Sequence, residues 1–574
     1  MTRHSAAHYL LEGLCELGID YLFCNLGTDH VSLIEEMARW DQGNRKRPPV
    51  ILCPHENVAV HMAGGYAMMT GRGQAVLVHV DAGTANAAMA LHNLSRGRVP
   101  VFLMAGRAPF TSRRELIGTR DAYVHFVQDP YDIASIVRPY TKWEYCLPSG
   151  VVVKEPLSRG YAMMQSDPPG PVFLTLPRET LAEEIAAEQV ASFPPARFGP
   201  VQAGGADPAV AKEIARALMA AANPVAFTGY LGRCAEAVSA LEALALACGM
   251  RVVQHAAITM NLSAEHPCFA GFDPAPLLSE CDLGLLLDID VPWVPSVVRE
   301  GPATRFIQVD LDAAKQNLPI WNFPAHLRVQ GDCATVLRQV QACIEAMADD
   351  AWRARMADRV AGWETARAVR ARRLAAAAMV PGEPDAIAVP FLMAALNRQL
   401  SPDDIVLNEA IRNGGVVQDH ILRTKPHSYI AFAGGGLGFS GGMALGVKLA
   451  RPEARVVQVV GDGSFHFSAP DSVYAVAQNH GLPIFTLILD NRGWAAVKES
   501  TRRVYPNGVA VQQEAFRARL DERGERRFEE VAKAFGAHAE RVTESEQVEA
   551  AIARCLAAVE RGQASVLTAR VTPL

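Results

Sequence analysis

Asp462 stands in Gly461-Asp462-Gly463-Ser464, directly after the apolar run Arg455–Val460, and Asn491 follows the next such run, Ile484–Asp490. Both runs read as strands, and the carboxyl ends of strands in an open parallel sheet border the ligand crevice, so Asp462 and Asn491 can meet there. One carboxylate, one amide oxygen and a backbone carbonyl from Gly493 make an oxygen set suited to Mg²⁺. That ion keeps part of its octahedron for water and a substrate phosphate. The expected ligand is therefore phosphorylated, and the glycines at 461 and 463 let backbone approach it closely.

Two further stretches carry chemistry. Gly436-Leu437-Gly438-Phe439-Ser440-Gly441 matches G-x-G-x-x-G between the strand-like Tyr429–Ala433 and a helical run, so a dinucleotide site is a rival reading. It lies deep in the chain, with no strand-terminal acid for a ribose within about 20 residues after it. Near the other end, the run Val50–Cys53 ends in Pro54-His55-Glu56-Asn57. Glu56 is either a reacting carboxylate at a strand end or a first-turn acid favoured by the helix dipole.

The elements that must position these residues follow from periodicity. Helical patterns alternate with β-rich runs at Tyr21–Cys24, Val50–Cys53, Ala75–Val80, Val101–Met104 and Val172–Leu176, which predicts a parallel sheet wrapped by helices. A Pro/Ala/Gly-rich linker spans Phe193 to Ala206. A second α/β segment has strands near Pro224–Phe227, Arg251–Gln254, Leu283–Leu287 and Phe306–Val309. The Ala/Arg-rich stretch Trp352 to Ala378 predicts a solvated helix, and a third α/β segment runs from about Asp385 through a strand at Ser565–Val571. The expected domains are residues 1–185, 205–345 and 385–574, each a doubly wound parallel sheet. No long C-terminal lid is expected before Leu574.

Composition narrows the function. A length of 574 residues exceeds any single compact domain, and half apolar residues with 20% charged exclude a disordered chain. Lys and Arg number 55 against 61 Asp and Glu, a net charge of −6 that gives no field for nucleic acid or an anionic membrane. No apolar run is long enough to span a bilayer, and Glu12 and Glu16 interrupt any signal-peptide core. Eleven scattered cysteines without a C-x-x-C pair fit a reducing cytoplasm.

Taken in order, the motifs resemble the thiamine diphosphate-dependent decarboxylase family, which includes acetohydroxyacid synthases, pyruvate decarboxylases, benzoylformate decarboxylases and 2-hydroxyacyl-CoA lyases. The resemblance runs through Asn25-Leu26-Gly27-Thr28, Pro54-His55-Glu56-Asn57, Asp81-Ala82-Gly83-Thr84-Ala85-Asn86, Leu407-Asn408-Glu409, Gly434-Gly435-Gly436-Leu437-Gly438-Phe439, and Gly461-Asp462-Gly463 with Asn491. It implies pyrimidine-binding, central and diphosphate-binding domains, with thiamine diphosphate and Mg²⁺ held between the first domain of one subunit and the third of another. At least a homodimer is implied, commonly a homotetramer. Glu56 would bond the pyrimidine ring nitrogen, in an apolar setting that favours sharing the proton. Leu437 would sit beneath the bent cofactor, and Gly435 would offer its carbonyl to the amino group.

His79 matches an active-site histidine of benzoylformate decarboxylases, able to relay protons near neutral pH; a satisfied structural histidine is the plain alternative. Thr28 occupies the place of a substrate-contacting hydroxyl, and is equally placed to cap the helix that follows. Trp494 is either a wall of the substrate cavity or a packing aromatic, and Lys498-Glu499 reads as a solvated pair. The sequence departs from the family in Asp490-Asn491, where Asn-Asn is frequent. It also has Asp81-Ala82-Gly83 where acetohydroxyacid synthases commonly have Gly-Pro-Gly.

The implied activity is cleavage or formation of a C–C bond next to a carbonyl, with a 2-oxo acid as donor. A 2-hydroxyacyl-CoA or oxalyl-CoA enzyme is the alternative, with Arg353, Arg355, Arg367, Arg370, Arg372 and Arg373 as candidate phosphate partners. A non-catalytic homologue is a third reading, opposed by the presence of both Glu56 and the Asp462/Asn491 pair. FAD is possible in the central domain, but Thr228-Gly229-Tyr230-Leu231-Gly232 is no fingerprint for it.

Overall fold

A computed structural model of the chain describes residues 2–431, 433–521 and 524–573. Leu574, and with it the question of a terminal lid, lies outside the described residues, as does Phe432 in the run Tyr429–Ala433.

The first sheet is built from β1 (Leu22–Cys24), β2 (Val50–Leu52), β3 (Gln74–Val78), β4 (Val101–Arg107), β5 (Glu144–Cys146) and β6 (Val172–Pro177), in the order β2-β1-β3-β4-β6-β5. Every pairing is parallel, with Phe23 opposite Ile51 and Val76. Alternate residues feed two cores: Phe23, Val76, Leu103 and Phe173 on one face, Leu22, Leu77, Phe102 and Leu174 on the other. Burial on both faces explains why these strands read as continuous apolar runs.

The middle sheet is also wholly parallel, with β7 (Pro224–Thr228), β8 (Arg251–Val253), β9 (Leu283–Leu287), β10 (Arg305–Asp310) and β11 (Leu327–Gln330) in the order β8-β7-β9-β10-β11. The third has β12 (Ile405–Glu409), β13 (Tyr429–Ala431), β14 (Val456–Gly461), β15 (Phe485–Asp490), β16 (His538–Val542) and β17 (Ser565–Arg570), ordered β13-β12-β14-β15-β17-β16. That is the strand order of the first sheet repeated. No strand is expected from the sequence at the edge strands β5, β11 and β16, which are only partly buried and make no apolar run, nor at the buried β12, whose last two residues are polar.

The helices that matter for the site are α1 (Val31–Gln42), α2 (Glu56–Thr70), α3 (Asp81–Gly97), α4 (Asp350–Ala378), α5 (Ser440–Ala450), α6 (Asp462–Phe467) and α7 (Ala495–Val504). Helix α4 is the expected solvated element, with only Trp352 and Met356 buried. Helices α2 and α5 occupy equivalent places after the second strand of their sheets, and they pack on each other. A Cβ on Gly446 would lie 1.9 Å from the Met62 carbonyl oxygen, and one on Gly65 would lie 2.2 Å from that of Met443. This backbone-on-backbone approach joins the first and third units through one apolar cluster that includes Val58, Met62, Ile405 and Met443.

Candidate functional site

In the first unit, the functional side chains gather at the carboxyl ends of β1, β2 and β3. Glu56 is the first residue of α2, capped by His55, whose side chain accepts the Asn57 N–H at 3.1 Å. The first-turn acid and the strand-end carboxylate are thus one residue. Glu56 is buried, but its surroundings are polar rather than the apolar setting expected: Asn25 Nδ2 donates to Oε1 at 3.0 Å, and Asn86 Nδ2 donates to Oε2 at 3.0 Å. Each carboxylate oxygen keeps a second lone pair for a ligand donor. Both asparagines belong to motifs visible in the sequence, yet their convergence on Glu56 is a product of the fold.

His79 lies just beyond β3 and is half-buried, with Nδ1 bonded to the carboxylate of Asp29. That bond and the neighbouring charge raise its pKa above the usual histidine value. Glu56 and His79 flank Gly83, where an added Cβ would lie 3.1 Å from Glu56 Oε1 and 3.5 Å from His79 Cβ. Thr28 does not cap α1; His30 occupies that position. Thr28 is exposed at the same edge, its hydroxyl 3.4 Å from His125 Nε2.

In the third unit, Asp462, Gly463 and Ser464 open α6, buried at the end of β14. Asp462 Oδ1 accepts the Gly463 N–H at 2.9 Å, while Oδ2 is buried with no hydrogen-bond partner. Burial, and then the carboxylate of Asp490, push its pKa up to about 7. An unpartnered buried carboxylate oxygen beside a second acid is suited to a cation as its partner. Asn491 Oδ1 accepts the Gly493 N–H at 3.2 Å, and the Gly493 carbonyl accepts the Ala495 N–H at 3.0 Å, each oxygen keeping a free lone pair. Gly461 faces open space: nothing lies within 4 Å of where its Cβ would be. The donor set fits Mg²⁺.

Asp490, the departure from Asn-Asn, is held by Arg541 at 3.0 Å and Arg570 at 3.4 Å. The Trp494 ring packs on the backbone of Gly463, 2.5 Å from any Cβ there, and also lines a cleft of about 520 Å³ with Asn491, Lys498, Phe516 and Arg519. Trp494 is therefore a packing aromatic that also walls this cleft. Glu499 is not a solvated partner of Lys498; it pairs with Arg412 beyond β12.

The glycine turn before α5 overturns the dinucleotide reading. The buried carboxylate of Glu409, at the end of β12, accepts the N–H groups of Gly438 at 2.5 Å, Phe439 at 3.4 Å and Ser440 at 2.9 Å. The donors that would cradle a pyrophosphate at a helix N-terminus are already taken by this side chain. Leu437 is half-buried and Gly435 exposed on the outer limb of the turn, so Leu437 is not an ordinary core leucine. The turn is tied to the first unit: Asn93 of α3 donates to the Gly436 carbonyl at 2.9 Å, and Asn57 donates to the Gly438 carbonyl at 3.4 Å as well as to that of Phe467, at the end of α6, at 3.2 Å. Among the described residues, no hydrogen bond or ion pair joins Glu56 to Asp462 or Asn491 within the chain.

The equivalent edge of the middle sheet carries an ion-pair network beside a cleft of about 500 Å³ lined by Arg98, Asp290 and Asp312. Lys315, fully buried, donates to Asp310 at 2.6 Å, Asp290 at 2.8 Å and the Tyr230 hydroxyl at 2.8 Å. Arg98, reaching in from the end of α3, bonds Asp290 with both terminal nitrogens. The turn at Thr228–Gly232 thus feeds an ion-pair network, and FAD remains unsupported. On α4, Arg370 is spent on Asp419 at 2.6 Å. No helix of the described residues is long and apolar enough to cross a membrane.

Three parallel-sheet units, with polar clusters at the strand ends of the first and third, are the architecture of a thiamine diphosphate-binding enzyme. Sequence comparison agrees: residues 4–136 match the N-terminal TPP binding domain of thiamine pyrophosphate enzymes, 211–340 their central domain and 413–569 their C-terminal TPP binding domain. The chain belongs to the thiamine pyrophosphate enzyme family. It is 23% identical to the acetolactate synthase large subunit of Haemophilus influenzae, covering 88% of this chain and 85% of that protein. It is 26% identical to the benzoylformate decarboxylase of Pseudomonas aeruginosa, covering 87% of each. The crystal structure of benzoylformate decarboxylase from Polynucleobacter necessarius shares the fold over 100% of both chains, with a TM-score of 0.79 and 19% identity.

Proposed function

We propose that this thiamine diphosphate-dependent enzyme is a Mg²⁺-requiring 2-oxo acid decarboxylase or carboligase. The observation that carries the reading is the pairing of a clamped carboxylate, Glu56, at the ligand edge of the first sheet with an unpartnered carboxylate oxygen, Asp462 Oδ2, at the same edge of the third. When bound, thiamine diphosphate supplies a carbon nucleophile that stabilises the negative charge left when a bond next to a carbonyl breaks.

The chain's own residues do the rest. Asp462, Asn491 and the Gly493 carbonyl would hold Mg²⁺, and Gly461, Gly463 and Ser464 would receive the diphosphate. Glu56 would bond the pyrimidine ring and hold a proton there. Leu437 would support the ring system, and the Gly435 carbonyl would be offered to it. His79 and Thr28 would face the substrate, His79 moving a proton at Nε2. As the family resemblance implies, the complete site would draw on two subunits, in a homodimer or a tetramer of such pairs. All eleven cysteines are free, in keeping with a reducing cytoplasm.

The test is a screen of 2-oxo acids and 2-hydroxyacyl-CoA or oxalyl-CoA thioesters with thiamine diphosphate and Mg²⁺, reading out carbon dioxide, aldehydes and ketols. Turnover of a 2-oxo acid is expected. Turnover of thioesters alone would replace this reading with the coenzyme A one.

A further inference from the structure

Two glycines from different elements are denied a side chain by the same carboxylate, that of Asp29. A Cβ on Gly27, in the loop after β1, would lie 2.0 Å from His79 Nδ1 and 2.5 Å from Asp29 Oδ1; one on Gly106, within β4, would lie 1.4 Å from Asp29 Oδ2. Glycine weakens a strand interior and often marks a close approach by another group. What approaches here is the carboxylate of Asp29, which is 2% exposed.

That carboxylate is held from several sides. Oδ1 accepts the Nδ1–H of His79. Oδ2 accepts the Val80 N–H at 3.3 Å and lies 3.3 Å from His30 Nε2. His30 Nδ1 accepts the Gly27 N–H at 3.0 Å, which puts the His30 proton on Nε2, toward Asp29. Asp29 thus stays ionised, its pKa held low by the two histidines despite burial. Its bond to His79 leaves Nε2 as that ring's one nitrogen without a carboxylate partner.

We propose that Asp29 is a positioning residue for His79: it fixes the imidazole as the Nδ1–H form, so that Nε2 serves substrate at the edge shared with Glu56. The proposal rests on the reading of His79 as substrate-facing. Asp29 raises the His79 pKa, with lesser help from the Gln128 side chain and Asp81. The other titratable groups at this edge are His30, His125, which also feels the Asp29 charge, and Glu56 across Gly83. Buried Asp29 bonded to Nδ1 of a proton-moving histidine sets both tautomer and basicity, as in other carboxylate–histidine pairs.

The test follows ethoxyformylation of His79 by diethyl pyrocarbonate against pH in the full-length enzyme, resolved by peptide mass spectrometry, since only neutral imidazole reacts. In the unaltered enzyme the midpoint is expected above that of a histidine peptide, and in Asp29→Asn it falls toward the peptide value. With thiamine diphosphate and Mg²⁺ bound, Asp29→Asn is expected to lose on the order of 100-fold in kcat with KM changed only a few-fold, while proton exchange at the cofactor C2 is unchanged. A midpoint in Asp29→Asn equal to that of the unaltered enzyme overturns the proposal. If Asp29→Asn does not fold, the unaltered enzyme decides: a midpoint at or below the peptide value overturns it. Full turnover by His79→Gln would instead remove the reading of His79 on which the proposal rests, whatever the midpoints show.

Discussion

The carboxylate of Glu409 accepts the backbone N–H of Ser440 at 2.9 Å, and so caps α5 from a different strand end. The same side chain holds Gly438, whose φ of +90° suits glycine alone. Burial pushes its pKa up from 4.5 to about 7, against the pull of those donors. A carboxyl whose folded-state pKa is raised favours folding at low pH, and that contribution is lost as pH rises from 4.5 to about 7. Stability from urea melts is expected to decline across this window, and the decline is expected to flatten in Glu409→Gln. Glu409→Ala leaves buried N–H groups unpaired, each costing about 1–3 kcal/mol. A Glu409→Ala protein as stable as the original would remove Glu409 from its capping role.

Glu56→Gln separates binding from activation. The diphosphate and metal contacts lie in the third unit, so cofactor affinity should be largely kept. Asn25 or Asn86 can turn its amide to present oxygen to the new NH₂ group, so the fold should survive. Loss of one catalytic hydrogen-bonding group costs about 3–4 kcal/mol, on the order of a hundredfold or more in proton exchange at the cofactor C2. Acid-quench NMR in deuterated buffer measures the rate. Exchange at the original rate, with cofactor bound, would leave Glu56 as a first-turn acid only.

Thiamine diphosphate and Mg²⁺ should bind together. Calorimetric titration is expected to show weak cofactor binding without Mg²⁺ and in Asp462→Ala. Gly461→Ala offers a finer test: its φ is −74° and nothing lies within 4 Å of the new Cβ, so the fold tolerates the methyl group. If that space receives the diphosphate, Gly461→Ala should weaken cofactor binding while leaving the urea midpoint unchanged. Undiminished affinity in both variants would displace the diphosphate site from this turn.

Much of this arrangement was legible in the residues. The central strands announced themselves because both faces are buried, and the Gly-Asp-Gly turn with its downstream asparagine because strand ends in a parallel sheet converge. Pairings between distant segments were not legible. Nothing local in Thr28-Asp29-His30 says that Asp29 reaches His79, 50 residues away, or that two glycines make room for it. Asn25 and Asn86 stood in plain motifs, but their grip on Glu56 depends on how β1, α2 and α3 meet. The G-x-G-x-x-G pattern misled for the same reason, since the acid that satisfies its amides, Glu409, precedes it by 29 residues from Gly438.

The last prediction concerns the contact that makes two units one. Gly446 of α5 approaches the backbone of Met62 in α2 so closely that a Cβ would lie 1.9 Å from the carbonyl oxygen and 2.8 Å from its carbon. A flexible side chain can yield, but a carbonyl within a helix cannot, so Gly446→Ala must drive the helices apart. Alanine favours an isolated helix over glycine by about 1 kcal/mol, which opposes this effect. Overpacking costs typically 1–3 kcal/mol and occasionally more; a backbone clash shared by two cores belongs at the upper end, so net destabilisation is expected. Because α2 begins at Glu56 and α5 follows the Glu409-capped turn, separating them also displaces both ends of the site. Urea melts of Gly446→Ala should therefore show a lower midpoint, with weaker thiamine diphosphate binding in the same protein. If instead the variant gains the stability that helix propensity alone would give, α2 and α5 do not meet this closely, and the first and third units are not joined through this contact.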